Sequence, residues 1–313
     1  MSGIMNKDIP PIATRKKRYR GYGLWLMLTL MVVLWGLSWP AMKIALHDIP
    51  PLWLGTLRFF TAGLCLFIVV GCKKQLAIPS RKDLPIVISV GGLQMLAFTA
   101  LGLVAMQYTD VSRAALLAYT TPLWGVIFAW LINKSLPQKK QLVALCIGIV
   151  GIAIICSPLE IDWSQQGMVK GNLFLLLAAL CWSVVIFHVK KHQWHLSPLA
   201  LAPWQMLFAT IPMLLLAVKY EGWPREIHWS PLLCALIFFI GPIATSVCFV
   251  ISTACGRKVS SFTMSNFTLG VPVIGVISSV FFLGSHLTFV FLSGLILVFS
   301  GAVMAIAFSF RDA

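Results

Sequence analysis

Residues 122–127 read Pro-Leu-Trp-Gly-Val-Ile and residues 272–277 read Pro-Val-Ile-Gly-Val-Ile, one pattern met twice at a displacement of 150. At the same displacement Gly91 answers to Gly241 and Gly151 to Gly301. Earlier in each half the displacement is 147, pairing Trp35 with Trp182 and Pro51 with Pro198. A motif that keeps register with its flanking glycines marks an internal duplication rather than the chance likeness of apolar text.

The text around the motif is apolar enough to need lipid as solvent. Of 313 residues 59% are hydrophobic and 11% charged, with a mean hydropathy of +0.91, whereas soluble domains carry about 25% charged residues. A bilayer core of about 30 Å takes roughly 20 residues of helix. Spans of that kind are expected near 22–42, 52–72, 84–107, 112–132, 141–157, 171–189, 197–218, 230–253, 260–283 and 287–309. Pro50-Pro51, Pro79 and Pro158 serve as breakers between them. A lipid-facing barrel would alternate apolar with polar residues, and these runs are apolar all round.

The fold expected is therefore an all-α membrane protein of ten transmembrane helices. Its parts are a basic segment over 1–21, a first five-helix repeat over 22–157 and a second over 170–310. Because five is odd, the second repeat must thread the membrane upside down relative to the first. That is the inverted-repeat plan of secondary transporters.

Net charge is +15, yet the basic residues fall in short clusters between apolar runs, which argues for membrane orientation and against nucleic acid. With the N-terminus inside, eighteen Lys and Arg lie in inner segments and five outside: Lys43, Arg113, Lys170, Lys219 and Arg225. Both termini are expected in the cytoplasm of a multi-pass inner (plasma) membrane protein. The uncharged run from Gly21 to Met42 is longer than a signal-peptide core, so it reads as an uncleaved first span. Eight cysteines lie within or at the ends of apolar segments without a CxxC pair or Cys/His cluster. No metal, cofactor or catalytic residue is expected, and HExxH, G-x-S-x-G, P-loop and GxGxxG patterns are absent.

Leu34-Trp35-Gly36, Ala41-Met42-Lys43, Ile49-Pro50-Pro51-Leu52 and Leu57-Arg58-Phe59 with Ala62-Gly63 follow one another near the start. Tyr108-Thr109, Pro122, Trp182, Pro272 and Gly301 come later. In order and spacing this string resembles the EamA-type bacterial transporters of the drug/metabolite superfamily. The resemblance implies ten helices in two inverted repeats, and transport of amino acids, nucleobases, related metabolites or drugs, often outward. One departure stands out. The Gly-Glu usual after the fourth and ninth spans is replaced by Lys134-Ser135 and Gly284-Ser285.

Chemistry in such a chain must come from polar groups inside the spans, since lipid satisfies none of them. All nine acidic residues fall outside span interiors. A proton-coupled exporter of cationic drugs generally uses a buried carboxylate, so that class is disfavoured. Arg58 is the single charged side chain well inside a span. It snorkels outward or pairs with Asp48 or Asp110 near the same boundary, or else receives a cargo carboxylate. Lys43 and His188 offer the same choice between boundary residue and ligand, and His188 could carry a proton.

The neutral candidates are Ser38, Gln94, Tyr119, Thr120, Ser246 and Asn266, each either a cargo ligand or an interhelical hydrogen bond. Thr99, Thr121, Ser183, Thr245, Ser265 and Thr268 share the same spans. Trp35, Trp39, Trp124 and Trp182 lie deeper than an interfacial belt and could wall a cavity. Pro122 and Pro272, in matching mid-span positions, mark helix breaks or gates beside a midplane site. The substrate-binding set is thus Trp35, Ser38, Trp39, Arg58, Gln94, Tyr119, Thr120, Trp182, Ser246 and Asn266.

The function expected is secondary transport, not enzymatic catalysis. The cargo is an amino acid or related metabolite, moved outward by alternating access. Multidrug efflux and lipid-linked-sugar flipping are the alternatives on the same fold, and a passive channel is a third. The partners expected are a small-molecule substrate and the lipid bilayer, with a second copy of the chain as candidate homodimer partner.

Overall fold

A computed structural model describes residues 14–133, 139–155, 167–256, 267–285 and 287–309. Pro158, Lys134-Ser135, Ser265 and Asn266 lie outside the described residues. Every regular element among the described residues is helical. The chain is an all-α membrane protein of ten spans in two inverted five-helix repeats. The first repeat comprises α1 (Thr14–Ala45), α2 (Pro51–Cys72), α3 (Leu84–Ala105), the pair α4 (Val111–Ala118) and α5 (Thr121–Asn133), and α6 (Lys139–Ile155). The second comprises α7 (Met168–Lys191), α8 (Pro198–Glu221), α9 (231–256), α10 (Gly270–Leu283) and α11 (Phe289–Ser309). Seven stretches are long and apolar enough to cross a bilayer, and Gly270–Leu283 and Phe289–Met304 are shorter apolar helices.

The packing repeats as the sequence does. Exchanging the halves turns the α1–α10 contact into that of α7 with α5, and α2–α9 into α8–α3. The pairs α2–α8 and α6–α11 exchange into themselves and so lie on the pseudo-twofold axis. Elements that run up in one half run down in the other, so this axis lies in the membrane plane. The face bearing the start of α1 is called proximal below, and the opposite face distal.

Local chemistry sets the helix ends. Pro51, Pro198 and Pro231 each open a helix, where the missing N–H costs nothing. Ser197 and Ser230 accept the N–H of Ala200 and Leu233 as N-caps. At the distal face the Glu221 carboxylate, at the end of α8, accepts N–H bonds from Leu52 (2.8 Å) and Trp53 (3.0 Å). It thereby caps the positive end of α2 and ties the two halves together. On the axis α6 and α11 meet backbone to backbone. A Cβ on Gly151 would stand 2.7 Å from the Val298 nitrogen, and one on Gly301 2.7 Å from the Gly148 nitrogen. Such close approach is the way membrane helices gain packing without a hydrophobic driving force.

Two features differ from uninterrupted spans. The stretch expected as one helix over 112–132 breaks at Tyr119 and Thr120, and Pro122 sits second in α5. The proline has no N–H for the preceding turn, so the helix restarts there instead of continuing. In the other half a turn at Leu269, 150 residues on from Tyr119, precedes α10, and Pro272 is third in that helix. Second, α3 and α9 each contain a π-helical stretch, Ser89–Ala97 and Phe239–Val247, again displaced by 150.

Candidate functional site

The broken fourth span places Tyr119 at the end of α4, facing α1 and α7 across a central cavity of about 100 Å³. From the sequence-derived set, Trp35, Ser38, Trp39, Arg58, Gln94, Tyr119 and Trp182 all line it. Four of its walls form an edge-to-face aromatic chain. Trp39 to Tyr119 is 6.3 Å between ring centroids, Tyr119 to Trp182 5.6 Å, and Trp182 to Phe98 4.6 Å. Rings in this arrangement support one another and hold the cavity open with little side-chain freedom.

Two of the set stand elsewhere. Thr120 is fully buried and donates to the Leu117 carbonyl (2.8 Å), closing the last turn of α4. Ser246 donates to the Ala62 carbonyl (2.9 Å), pinning α9 to α2. Both hydroxyls satisfy a helix backbone in lipid instead of facing the cavity. Asn266 falls outside the described residues. Ser183 likewise spans the break, its single hydroxyl proton shared between the Thr121 (2.9 Å) and Ala179 (2.9 Å) carbonyls.

Arg58 supplies the positive charge in the lining. The expected ion pair with Asp48 or Asp110 does not form among the described residues. Arg58 points inward instead. Its Nε donates to Thr245 Oγ1 at 2.9 Å, and Nη1 lies 3.2 Å from Met42 Sδ. Asp48 is engaged elsewhere, its carboxylate with the Ser230 hydroxyl at 3.5 Å and its carbonyl with the His228 N–H at 3.0 Å. No carboxylate belongs to the described lining. Lys43 donates to the Met106 carbonyl at the distal end of α3, which makes it a boundary residue.

Thr99 and Thr245, named above among the polar residues of the same spans, line the cavity too, and the apolar remainder was not singled out from sequence as a site. It includes Met42, Met95, Met106 and Met206, together with Phe59, Phe98 and Phe249. Four thioethers give the apolar wall an adaptable surface. Trp124 and Ser246 lie outside this lining, and so does His188.

His188 belongs to a second cluster at the proximal face. Its ring meets His192 edge-on at 5.7 Å, and His192 Nε2 lies 3.8 Å from Asp83 Oδ1. His195 Nδ1 is 3.7 Å from the same oxygen. Asp83 is fully buried just before α3. Burial pushes its carboxyl upward, but the Ser80 hydroxyl, the backbone N–H groups of His195 and Leu196 and the His195 ring outweigh it. They hold Asp83 below the ordinary carboxylate range. The cluster joins the start of α3 to the α7–α8 turn.

Comparison with known proteins agrees with this architecture. The model of the EamA-like transporter family matches residues 22–157 and again 169–307. A Salmonella typhimurium protein named a probable amino-acid metabolite efflux pump is 28% identical over 295 residues, covering 90% of this chain and 94% of its own. The Escherichia coli protein of the same name is 26% identical over 285 residues, covering 88% and 92%. A Bacillus subtilis transporter, YoaV, is 24% identical over 275 residues, covering 88% and 93%. One crystal structure superposes with a TM-score of 0.61 at 17% identity, over 93% of this chain and 99% of that one, a likeness of fold alone.

Proposed function

We propose a cargo and a working cycle for a chain that belongs to the EamA-like transporter family: export of amino acids or closely related small metabolites by alternating access. The observation that carries this reading is a single guanidinium, Arg58, facing a small aromatic cavity without a carboxylate in its described lining. A carboxylate-bearing cargo finds a charge-assisted, bidentate partner there. A lipophilic cation finds only ring faces. Drug-sized ligands occupy pockets of roughly 300 Å³ or more, whereas this cavity measures about 100 Å³. Size and charge thus both favour a small acid or zwitterion over a multidrug cation, and the names of the Salmonella and Escherichia relatives lean the same way.

In this cycle the units 22–157 and 170–310 rock against each other about the in-plane axis. The α2–α8 and α6–α11 pairs act as the pivot, and the breaks at Pro122 and Pro272 flank the site. Arg58 takes the cargo carboxylate while Trp35, Trp39, Tyr119 and Trp182 enclose its side chain. Ser38 and Gln94 stand in the same lining for its remaining polar groups. The proximal face is cytoplasmic and the membrane is the plasma membrane, a reading supported by the eighteen-to-five division of basic residues. The protein acts as a carrier, not as an enzyme.

The test is counterflow in proteoliposomes of the purified chain. Vesicles preloaded with one unlabelled amino acid should accumulate its label transiently and saturably. Linear uptake to high concentration would point to a pore, and no uptake across the amino acids and their derivatives would end this reading.

A further inference from the structure

The π-helical turns of α3 and α9 share one register, Ser89–Ala97 and Phe239–Val247. Each packs on a residue of a central helix that the repeats also align. Gly241 lies on Arg58, where an added Cβ would stand 3.1 Å from the Arg58 carbonyl oxygen. Gly91 lies on Gln205, where it would stand 2.7 Å from that carbonyl oxygen. Arg58 and Gln205 are the residues related by 147, and 150 beyond Met95 comes Thr245. One scaffold therefore appears twice, and in only one copy does it carry a hydrogen-bonded cation.

That copy is closely specified. Thr245 Oγ1 donates to the Ile240 carbonyl at 2.7 Å, five residues back. An α-turn would bring the carbonyl three or four residues back to a threonine hydroxyl; the wide turn brings the fifth. With its proton committed, the hydroxyl presents a lone pair to Arg58, whose Nε–H it accepts at 2.9 Å. Arg58 Nη1 is steadied by Met42 Sδ at 3.2 Å. Among the described residues Gln205, by contrast, has a buried Oε1 with no hydrogen-bond partner.

We infer that Thr245 is the positioning residue for Arg58. The π-turn of α9 fixes the Thr245 hydroxyl, the hydroxyl occupies the Nε edge of the guanidinium, and the terminal-nitrogen edge is left to meet a planar carboxylate end-on. This rests on Arg58 being the ligand of the cargo carboxylate. It adds that recognition is directional. Two equivalent oxygens are required, so an amino acid is preferred to its methyl ester or amide.

The experiment is counterflow and competition with the full chain in proteoliposomes, comparing Thr245→Val, Thr245→Ser and Arg58→Gln. Valine keeps the shape and removes both hydrogen bonds, and Thr245→Ala is the second apolar replacement should valine not assemble. The expected result is a half-saturating concentration raised about tenfold in Thr245→Val, with the maximal rate within about twofold. Thr245→Ser should return to wild-type values, and discrimination between amino acid and methyl ester should narrow in Thr245→Val but not in Thr245→Ser. A role in packing only would move the maximal rate or the yield and leave discrimination unchanged, which would overturn the inference. Wild-type behaviour of Thr245→Val beside an inactive Arg58→Gln would overturn it too, while the cargo reading stands. Unimpaired transport in Arg58→Gln would sink both.

Discussion

The wide turn of α9 and the wide turn of α3 have the same backbone and opposite chemistry. Around the first, Arg58 and Thr245 form a charged, hydrogen-bonded pair that opens on the central cavity. Around the second, Gln205 is buried to 1% exposure and Met95 stands where Thr245 would be. A duplicated fold thus supplies the same turn twice, whereas the proposed cargo site needs one ligand set. A second buried cation would cost several kcal/mol without a partner. In the proposed cycle symmetry belongs to the motion, asymmetry to the recognition.

The largest effect should come from making the two sides alike in the neutral direction. In Arg58→Gln the cargo loses its charged hydrogen bonds, worth about 2–3 kcal/mol, so exchange of amino acids at low concentration should fall roughly a hundredfold. Thermal stability in detergent should hold, because no described carboxylate is left behind. Making them alike in the charged direction should act on stability instead. Gln205→Arg places a guanidinium where no described acid stands, at a cost of about 3 kcal/mol or more. Monodisperse yield and melting temperature should drop, whereas any surviving protein keeps its exchange rate. Equal stability of the two variants would remove the asymmetry between the two turns.

Much of this comparison was legible before any coordinates. The displaced PxxGVI motif, with its glycines, carries the duplication. The odd number of spans per half carries the inversion, because both follow from hydropathy and register. Seven cavity residues were also within reach, since a deep Trp or a polar group in lipid must turn toward something other than lipid. Helical spacing could have gone further. Trp35, Ser38, Trp39 and Met42 fall at i, i+3, i+4 and i+7, and Gln94, Phe98, Gly102 and Met106 fall four apart. Those two stripes locate two of the four thioethers, Met42 and Met106. The π-turns were out of reach, because Gly91-Gly92 and Gly241-Pro242 permit a wide turn without demanding one. Arg58 likewise had equal sequence-level access to Asp48, and only the packing of α9 against α2 turned it inward. Thr120 and Ser246 looked like ligands because a chain of letters does not reveal which carbonyls need a hydroxyl.

A smaller effect separates the two glycines on which the turns rest. Gly91→Ala sets a methyl 2.7 Å from a backbone oxygen of Gln205, which cannot swing aside. Overpacking of this kind costs about 1–3 kcal/mol, and the loss should appear as a lower melting temperature with cargo affinity little changed. Gly241→Ala meets first the side-chain hydroxyl of Thr61, which donates to the Leu57 carbonyl at 2.7 Å, and then the Arg58 carbonyl. The hydroxyl can rotate at the expense of one hydrogen bond, so the stability loss should be the lesser of the two. The displacement falls on the helix turn that carries Arg58, so the half-saturating concentration should rise. Were both glycines to affect stability and affinity in equal proportion, the two turns would be functionally equivalent and the contrast between them would fail.

The smallest effect lies at the proximal face, where Asp83 joins α3 to the α7–α8 turn of the other half. Its carboxyl is held below the ordinary range, so the folded form binds its proton less readily than the unfolded chain does. A group depressed in this way stabilises the fold fully above its unfolded pKa and loses that contribution as pH falls through the lower, folded value. The difference in melting temperature between wild type and Asp83→Asn should therefore shrink as pH falls below about pH 4. A gap that widened over that acid range would mean that Asp83 is protonated in the folded chain. The α3 end would then be joined to the second repeat by a neutral hydrogen bond, not by a charge.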